Sequence, residues 1–188
     1  MDKAIFLDRD GVINRLVKNQ TTGVYEPPHR EEDLDLYPWT LESLKIALEG
    51  GFSLFLVSNQ PDYAKGKCRL EDLISVHNKL DRIFKENKII FREYYYCYHH
   101  PAGIIAGYSG ECECRKPKPF FLKKAEKLYS IDMGKSWMIG DREADIICGR
   151  NGGTGTVFVK SEENTGFSSA ADFNAGNLLD AVKLIVKS

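Results

Sequence analysis

Apolar residues along this chain gather in short continuous runs separated by stretches of helical spacing. Ala4-Ile5-Phe6-Leu7 is one such run, and it stops at Asp8-Arg9-Asp10-Gly11, as a buried parallel strand entering a polar turn does. A second run, Phe52 to Val57, stops at Ser58-Asn59-Gln60-Pro61. Between them Leu41, Leu44, Ala47 and Leu48 keep a helical period that Gly50-Gly51 terminates, so the chain opens as strand, helix, strand. From Leu70 onward Leu73, Ile74, His77, Leu80, Ile83 and Phe84 recur at i, i+3, i+4, i+7 and predict a long amphipathic helix.

Glu93 to Tyr98 is rich in aromatics and leads into a cysteine and histidine segment. Phe120 to Tyr129 reads as a helix, and Ser136 to Ile139 as a strand ending at Gly140-Asp141. Glu143 to Arg150 reads as a helix closed by Asn151-Gly152-Gly153, Thr156 to Val159 as a strand, and Leu178 to Val186 as a last helix. Alternating strands and helices predict an α/β fold, a doubly wound parallel sheet with ligands beyond the carboxyl ends of its strands. A single domain over 1–188 is expected, with no stretch large enough for a separate cap domain. Its inserts are an irregular segment at about 15–38 and a loop at about 97–114. An unstructured stretch as long as 15–38, placed directly after the Asp pair, is expected to be a substrate-facing flap. Glu162 to Gly166 reads as a solvated loop.

Composition narrows the class. The 188 residues are 43% hydrophobic and 28% charged, as in ordinary globular proteins. With 26 basic and 27 acidic residues the net charge is -1, and no basic stripe points to nucleic acid or a membrane surface. No apolar run approaches the length of a bilayer span. A cytoplasmic monomer is expected, in a reducing compartment where five cysteines bind metal or lie buried rather than form disulfides.

Three polar clusters follow three predicted strands: Asp8/Asp10, Ser58/Asn59 and Asp141/Asp145. Parallel strands bring their carboxyl ends to one edge, where carboxylates from separate strands can share a hard cation such as Mg²⁺. Arg115-Lys116-Pro117-Lys118-Pro119 precedes the helix at Phe120, and a helix N-terminus favours anions. Taken singly, each cluster reads better as a turn, a cap or a solvated face.

A separate constellation is Cys97-x-His99 with Cys112-x-Cys114. Four such ligands with no position left for water suit a structural, tetrahedral Zn²⁺ stapling a loop poor in core residues. His100 competes with His99, which the symmetric spacing favours. Cys68 and Cys148 stand alone and read as packing residues.

In order, Phe6-Leu7-Asp8-Arg9-Asp10-Gly11-Val12, Val57-Ser58-Asn59-Gln60, Arg115-Lys116-Pro117 and Ile139-Gly140-Asp141 with Asp145 resemble the four motifs of the haloacid dehalogenase superfamily. The resemblance implies a Rossmann-like phosphatase fold in which Asp8 is the nucleophile and Asp10 the general acid and base. It implies Mg²⁺ held by Asp8, the Asp10 main chain and Asp141, and phosphoryl oxygens contacted by Ser58 and Lys116. Asp145 reads equally as a member of the site or as a structural residue that only orients Arg142 or its loop. Cys-x-His-His-Pro followed at long spacing by Cys-x-Cys-Arg-Lys-Pro resembles the heptose 1,7-bisphosphate phosphatases, whereas the related histidinol phosphatases have a shorter gap. That likeness implies substrate contacts from Asn59, Gln60, Arg115 and Arg142. The chain departs from the pattern at Pro61-Asp62-Tyr63, where a small Ser/Gly pair is usual, and in the longer loop after Asn14.

The expected activity is removal of the 7-phosphate from a phosphorylated heptose used in lipopolysaccharide or capsule synthesis. The alternatives are a histidinol-phosphate phosphatase and, from another class, an inactive zinc-stapled protein that binds a phosphosugar.

Overall fold

A computed structural model describes residues 2–168 and 170–187. Its elements in chain order are β1 (Lys3–Leu7), β2 (Val17–Lys18), β3 (Tyr25–Glu26), α1 (Thr40–Glu49), β4 (Phe52–Asn59), α2 (Leu70–Glu86) and β5 (Phe91–Cys97). They continue with α3 (Phe120–Tyr129), β6 (Trp137–Gly140), α4 (Glu143–Gly152), β7 (Gly155–Val159), β8 (Phe173–Ala175) and α5 (Leu178–Val186). Six strands form one parallel sheet in the order β5-β4-β1-β6-β7-β8. The chain winds outward from β1 to β5, then returns to the other side of β1 to lay down β6. The crevice where the winding reverses is the place such sheets keep for ligands.

Alternation along the strands sorts the core into two layers. Ile5, Leu7, Leu54, Leu56 and Ile139 pack with residues of α1, α2 and α5, including Leu44, Val76, Leu80 and Val182. Ala4, Phe6, Phe55, Val57 and Met138 point to the opposite face and pack with Leu122 and Ala125 of α3 and Cys148 of α4. A strand covered on both faces has no polar side, which is why these runs are continuously apolar. α1 ends where Gly51 takes a φ of +78°, a conformation most side chains resist.

Four strands were not anticipated. The aromatic run from Phe91 is the edge strand β5, paired with β4. β8 is three residues long, too short to carry a period. β2 and β3 pair as a small hairpin inside the 15–38 segment. Among the described residues no helix is long and apolar enough to cross a membrane.

Register levels the strand ends that matter. Leu7 of β1 lies beside Leu56 of β4 and Ile139 of β6. The residues that follow, Asp8, Ser58 and Asp141, therefore emerge along one edge.

Candidate active site

Asp8 leaves β1 with its backbone N–H donating to Ile139 O at 3.0 Å, which ties the strand end to β6. Its Oδ1 accepts from the Arg9 N–H at 2.7 Å and lies 2.9 Å from Lys116 Nζ. Lys116 is buried, and its ammonium also reaches Asp145 Oδ1 at 2.7 Å and Val57 O at 2.6 Å. Burial works against that positive charge, but Asp145 and Asp8 outweigh it and raise the Lys116 pKa above the ordinary lysine value. Asn59 clamps the Lys116 backbone from both sides, accepting from its N–H at 3.1 Å and donating to its carbonyl at 3.2 Å.

Asp141, directly after β6, is wholly buried, and neither carboxylate oxygen has a hydrogen-bond partner. Asp8, Asp141 and Asp145 each place one oxygen within 4.8 Å of the others. Burial, with Asp8 and Asp145 nearby, pushes the Asp141 carboxyl up to about 8. Burial also pushes Asp145 up to about 6, opposed by Lys116. Gly11 accommodates this crowding: a Cβ there would stand 2.3 Å from Asp141 Oδ2.

Charge counting describes what the pocket lacks. Asp8, Asp10, Asp141 and Asp145 are buried beside two buried cations, Arg9 and Lys116, which leaves a formal excess of two negative charges. Orphaned carboxylate oxygens with that excess fit a hard divalent cation, and carboxylates are the ligands Mg²⁺ favours.

Asp10 is held by four donors: Arg9 Nε at 3.0 Å, Arg9 NH2 at 3.1 Å, Asn14 Nδ2 at 3.0 Å and Gln60 Nε2 at 2.6 Å. Arg9 is fully buried behind it and also donates to Gln60 Oε1 at 3.0 Å. Gln60 donates to Ser58 Oγ as well, at 3.0 Å. Both Gln60 and Ser58 are buried and absent from the cavity wall, with the Gln60 amide spent on protein partners. Sequence reasoning placed no role on Arg9, since an arginine between two aspartates carries no sign of burial.

The cavity beside these groups measures 270 Å³ and is open to solvent. Asp8, Asp10, Asn59, Arg115, Lys116, Arg142 and Asp145 line one part of it; Val24 to Pro27 and the loop after β4 line another. Arg115 donates to His99 O at 3.3 Å. Asp145 does two things: its Oδ2 accepts from Arg142 N–H at 3.1 Å, capping α4, while its Oδ1 pairs with Lys116. The segment from Glu162, expected to be solvated, packs on the site instead. Asn164 donates to Asp141 O at 2.8 Å, Glu163 pairs with Arg142, and Glu162 accepts from Tyr37 and Arg15.

The second cluster lies where β5 ends. Sulfur separations are 3.2 Å for Cys97–Cys114, 3.6 Å for Cys97–Cys112 and 3.6 Å for Cys112–Cys114. His99 Nδ1 stands 3.6 Å from Cys114 Sγ and 4.0 Å from Cys97 Sγ. A tetrahedral zinc with sulfur and imidazole ligands spaces its donor atoms about 3.5–3.8 Å apart, so the set is compatible with that ion. His100 is turned to other use: its Nδ1 accepts from Ala102 N–H at 3.0 Å. Cys148 is buried in the second core layer, and Cys68 is partly buried away from the cluster.

A family model described as HAD-hydrolase-like matches residues 113–182, and with this sheet and carboxylate edge it defines the class as a HAD-type hydrolase. Over 156 residues the chain is 38% identical to the D-glycero-beta-D-manno-heptose-1,7-bisphosphate 7-phosphatase of Vibrio cholerae serotype O1, spanning 83% of this chain and 80% of that one. It is 31% identical over 184 residues to a D-glycero-alpha-D-manno-heptose-1,7-bisphosphate 7-phosphatase of Photorhabdus laumondii, spanning 97% and 96% of the two chains. The solved D,D-heptose 1,7-bisphosphate phosphatase of B. bronchiseptica, complexed with magnesium and phosphate, superposes with a TM-score of 0.79 at 20% identity over 98% of each chain, a likeness of fold. The chain belongs to the heptose-1,7-bisphosphate 7-phosphatase family of HAD-like hydrolases, and it is a phosphatase.

Proposed function

We propose that this phosphatase removes the 7-phosphate of D-glycero-D-manno-heptose 1,7-bisphosphate through a phosphorylated Asp8. What carries the reading is the convergence of Asp8 with Lys116 beside Asp141, whose two buried oxygens have no protein partner. Lys116 and the Arg9 N–H engage Asp8 Oδ1, leaving Oδ2 as the oxygen that attacks phosphorus. The bond from phosphorus to the sugar oxygen breaks as Asp10 gives that oxygen a proton. Water then attacks phosphorus and gives a proton to the Asp10 carboxylate, and the bond from phosphorus to Asp8 breaks, releasing inorganic phosphate. Lys116 counters phosphoryl charge from a fixed position and so needs no reorganisation during the step. Mg²⁺ held by Asp8, the Asp10 carbonyl and Asp141 would supply Lewis-acid charge neutralisation. Ser58, buried behind the wall, and Gln60 serve this chemistry by fixing the edge and Asp10. Asn59 acts by clamping Lys116.

Unpaired cations on the cavity wall favour a sugar with two phosphates. Among the cations on its wall, Lys67 pairs with Glu26, Arg142 with Glu163 and Lys116 with Asp8 and Asp145. Lys65 and Arg115 have no carboxylate partner among the described residues, which suits a ligand with a second anionic group. The 15–38 segment serves as the flap, Arg142 and Arg115 contact substrate, and Zn²⁺ on Cys97, His99, Cys112 and Cys114 staples the loop that delivers Lys116. We place the enzyme in the cytoplasm as a monomer.

A kinetic panel with Mg²⁺ tests the substrate. Both anomers of heptose 1,7-bisphosphate, other sugar phosphates and histidinol phosphate are compared by kcat/KM, and a heptose bisphosphate is expected to lead. A wide lead for histidinol phosphate would end the substrate assignment. Tight binding of phosphosugars with no turnover of any ester would instead favour the inactive binder.

A further inference from the structure

Asp62 stands at the position where the chain departs from the motif pattern, and its surroundings differ from those of a surface turn residue. It is 5% exposed, and its Oδ2 lies 2.9 Å from His29 Nε2 while its Oδ1 lies 3.7 Å from Lys67 Nζ. Lys67 in turn donates to Glu26 Oε1 at 2.6 Å, and Glu26 Oε2 accepts from Asn19 Nδ2 at 2.9 Å. Asn19, Glu26 and His29 belong to the hairpin segment; Asp62 and Lys67 belong to the loop after β4. That loop is braced internally by Lys65 N–H to Pro61 O at 3.0 Å and Lys67 N–H to Asp62 O at 2.9 Å.

The two segments meet at the cavity, with Tyr25, Glu26 and Pro27 on one and Pro61, Asp62 and Lys65 on the other. A hairpin of two-residue strands has too little of its own structure to hold a position. The base of the segment has separate anchors, from Arg15 to Asp35 and from Lys79 to Glu31 O, but the hairpin is fastened through Glu26 and His29. Burial disfavours the Asp62 charge, yet His29 and Lys67 outweigh it and hold the carboxyl below its usual range. The Asp62 end of the link is therefore desolvated and less screened than a surface carboxylate, while Lys67 keeps part of its side chain in water.

We propose that Asp62 and His29 are positioning residues for specificity. With Lys67 and Glu26 they fix the hairpin against the loop after β4, so that the flap forms a standing wall for the part of the substrate that does not react. The inference rests on the phosphosugar reading of the cavity. It also explains how two carboxylates, Glu26 and Asp62, line a pocket for an anionic ligand: each is neutralised across the gap, and Lys65 stays free to meet the ligand.

The test compares wild type with Asp62→Asn and His29→Gln in two assays. In the first, steady-state constants are measured on heptose 1,7-bisphosphate and on p-nitrophenyl phosphate, a small ester with no second anion. If the released hairpin comes to prevail by about ten to one, KM for the bisphosphate rises roughly tenfold with kcat and the p-nitrophenyl phosphate constants little changed. In the second, hydrogen exchange of residues 15–38 is followed in the absence of substrate, and the hairpin amides are expected to exchange faster in both variants while the sheet amides do not. Unchanged hairpin exchange, or equal losses on both esters, would overturn the proposal. A wild-type enzyme with no preference for the bisphosphate would sink the substrate reading instead, and the exchange measurement would still decide the positioning role.

Discussion

Two metal-competent clusters in this chain differ in almost every physical respect. The carboxylates Asp8, Asp141 and Asp145 are buried at the edge of the sheet, held by the ends of β1 and β6 and the first turn of α4, and carry unbalanced charge. The sulfur cluster of Cys97, His99, Cys112 and Cys114 is largely half-buried in a loop, and beyond Cys97 no helix or strand supports it until α3. In the first the fold builds the site, and a cation completes the chemistry. In the second, on the reading proposed above, a zinc held by these ligands would build the fold of the loop, and the chemistry is next door, since Cys114 is followed by Arg115 and Lys116. The lesson is that changes to the carboxylate edge should strike the rate, whereas changes to the sulfur cluster should strike stability first.

The sharpest way to break this contrast is Asp8→Asn, which keeps the shape of the edge and removes the nucleophile. Single-turnover hydrolysis should slow by at least roughly 10⁴-fold, with far-UV circular dichroism unchanged. Lys116→Met comes next. A fall in kcat of about 10²–10³ is expected from losing one preorganised charge at the phosphoryl group, measured at saturating substrate and Mg²⁺. On the other side, Cys112→Ser should lower Tm by roughly 5–10 °C in differential scanning calorimetry and release bound zinc, while the activity of the protein still folded falls far less than in Lys116→Met. An equal loss of rate would erase the distinction between the clusters.

The smallest expected effect lies away from both clusters and serves as a control. His77 sits against Tyr94 and Tyr96, with Nδ1 3.1 Å from the Tyr96 hydroxyl, and burial lowers its pKa from the ordinary 6.5. Below that ordinary value the unfolded chain binds a proton that the native one resists, so stability falls as pH drops through 6.5 and levels off below the depressed native pKa. His77→Gln should flatten that part of the profile in urea melts and leave kcat unchanged.

The residues at strand ends were legible because topology forces them together. A run such as Ala4 to Leu7 must be a buried strand, and the polar residues that follow it must arrive at the shared edge with those after β4 and β6. The cysteine and histidine pairs were legible from spacing alone. The small hairpin, β8 and the packing of Glu162 to Asn164 were not. Glu162 meets Tyr37 and Arg15 across more than a hundred residues, and nothing local distinguishes such a glutamate from a solvated one. Gln60 is assigned to the substrate only by the family resemblance. Its amide is instead satisfied by Arg9, Asp10 and Ser58, a network that depends on Arg9 being buried. Asp145 fitted either a cap or a site role on sequence, and its two oxygens perform one each.

The central claim is that the Asp8 carboxylate takes the phosphoryl group from the substrate. Acid quench within milliseconds of mixing enzyme, Mg²⁺ and substrate labelled on the 7-phosphate, followed by peptide mapping, tests it directly. The account predicts transient label on the peptide containing Asp8 and none in Asp8→Asn. An Asp8→Asn enzyme that releases phosphate at the wild-type rate, with no label on that peptide in either protein, would contradict it.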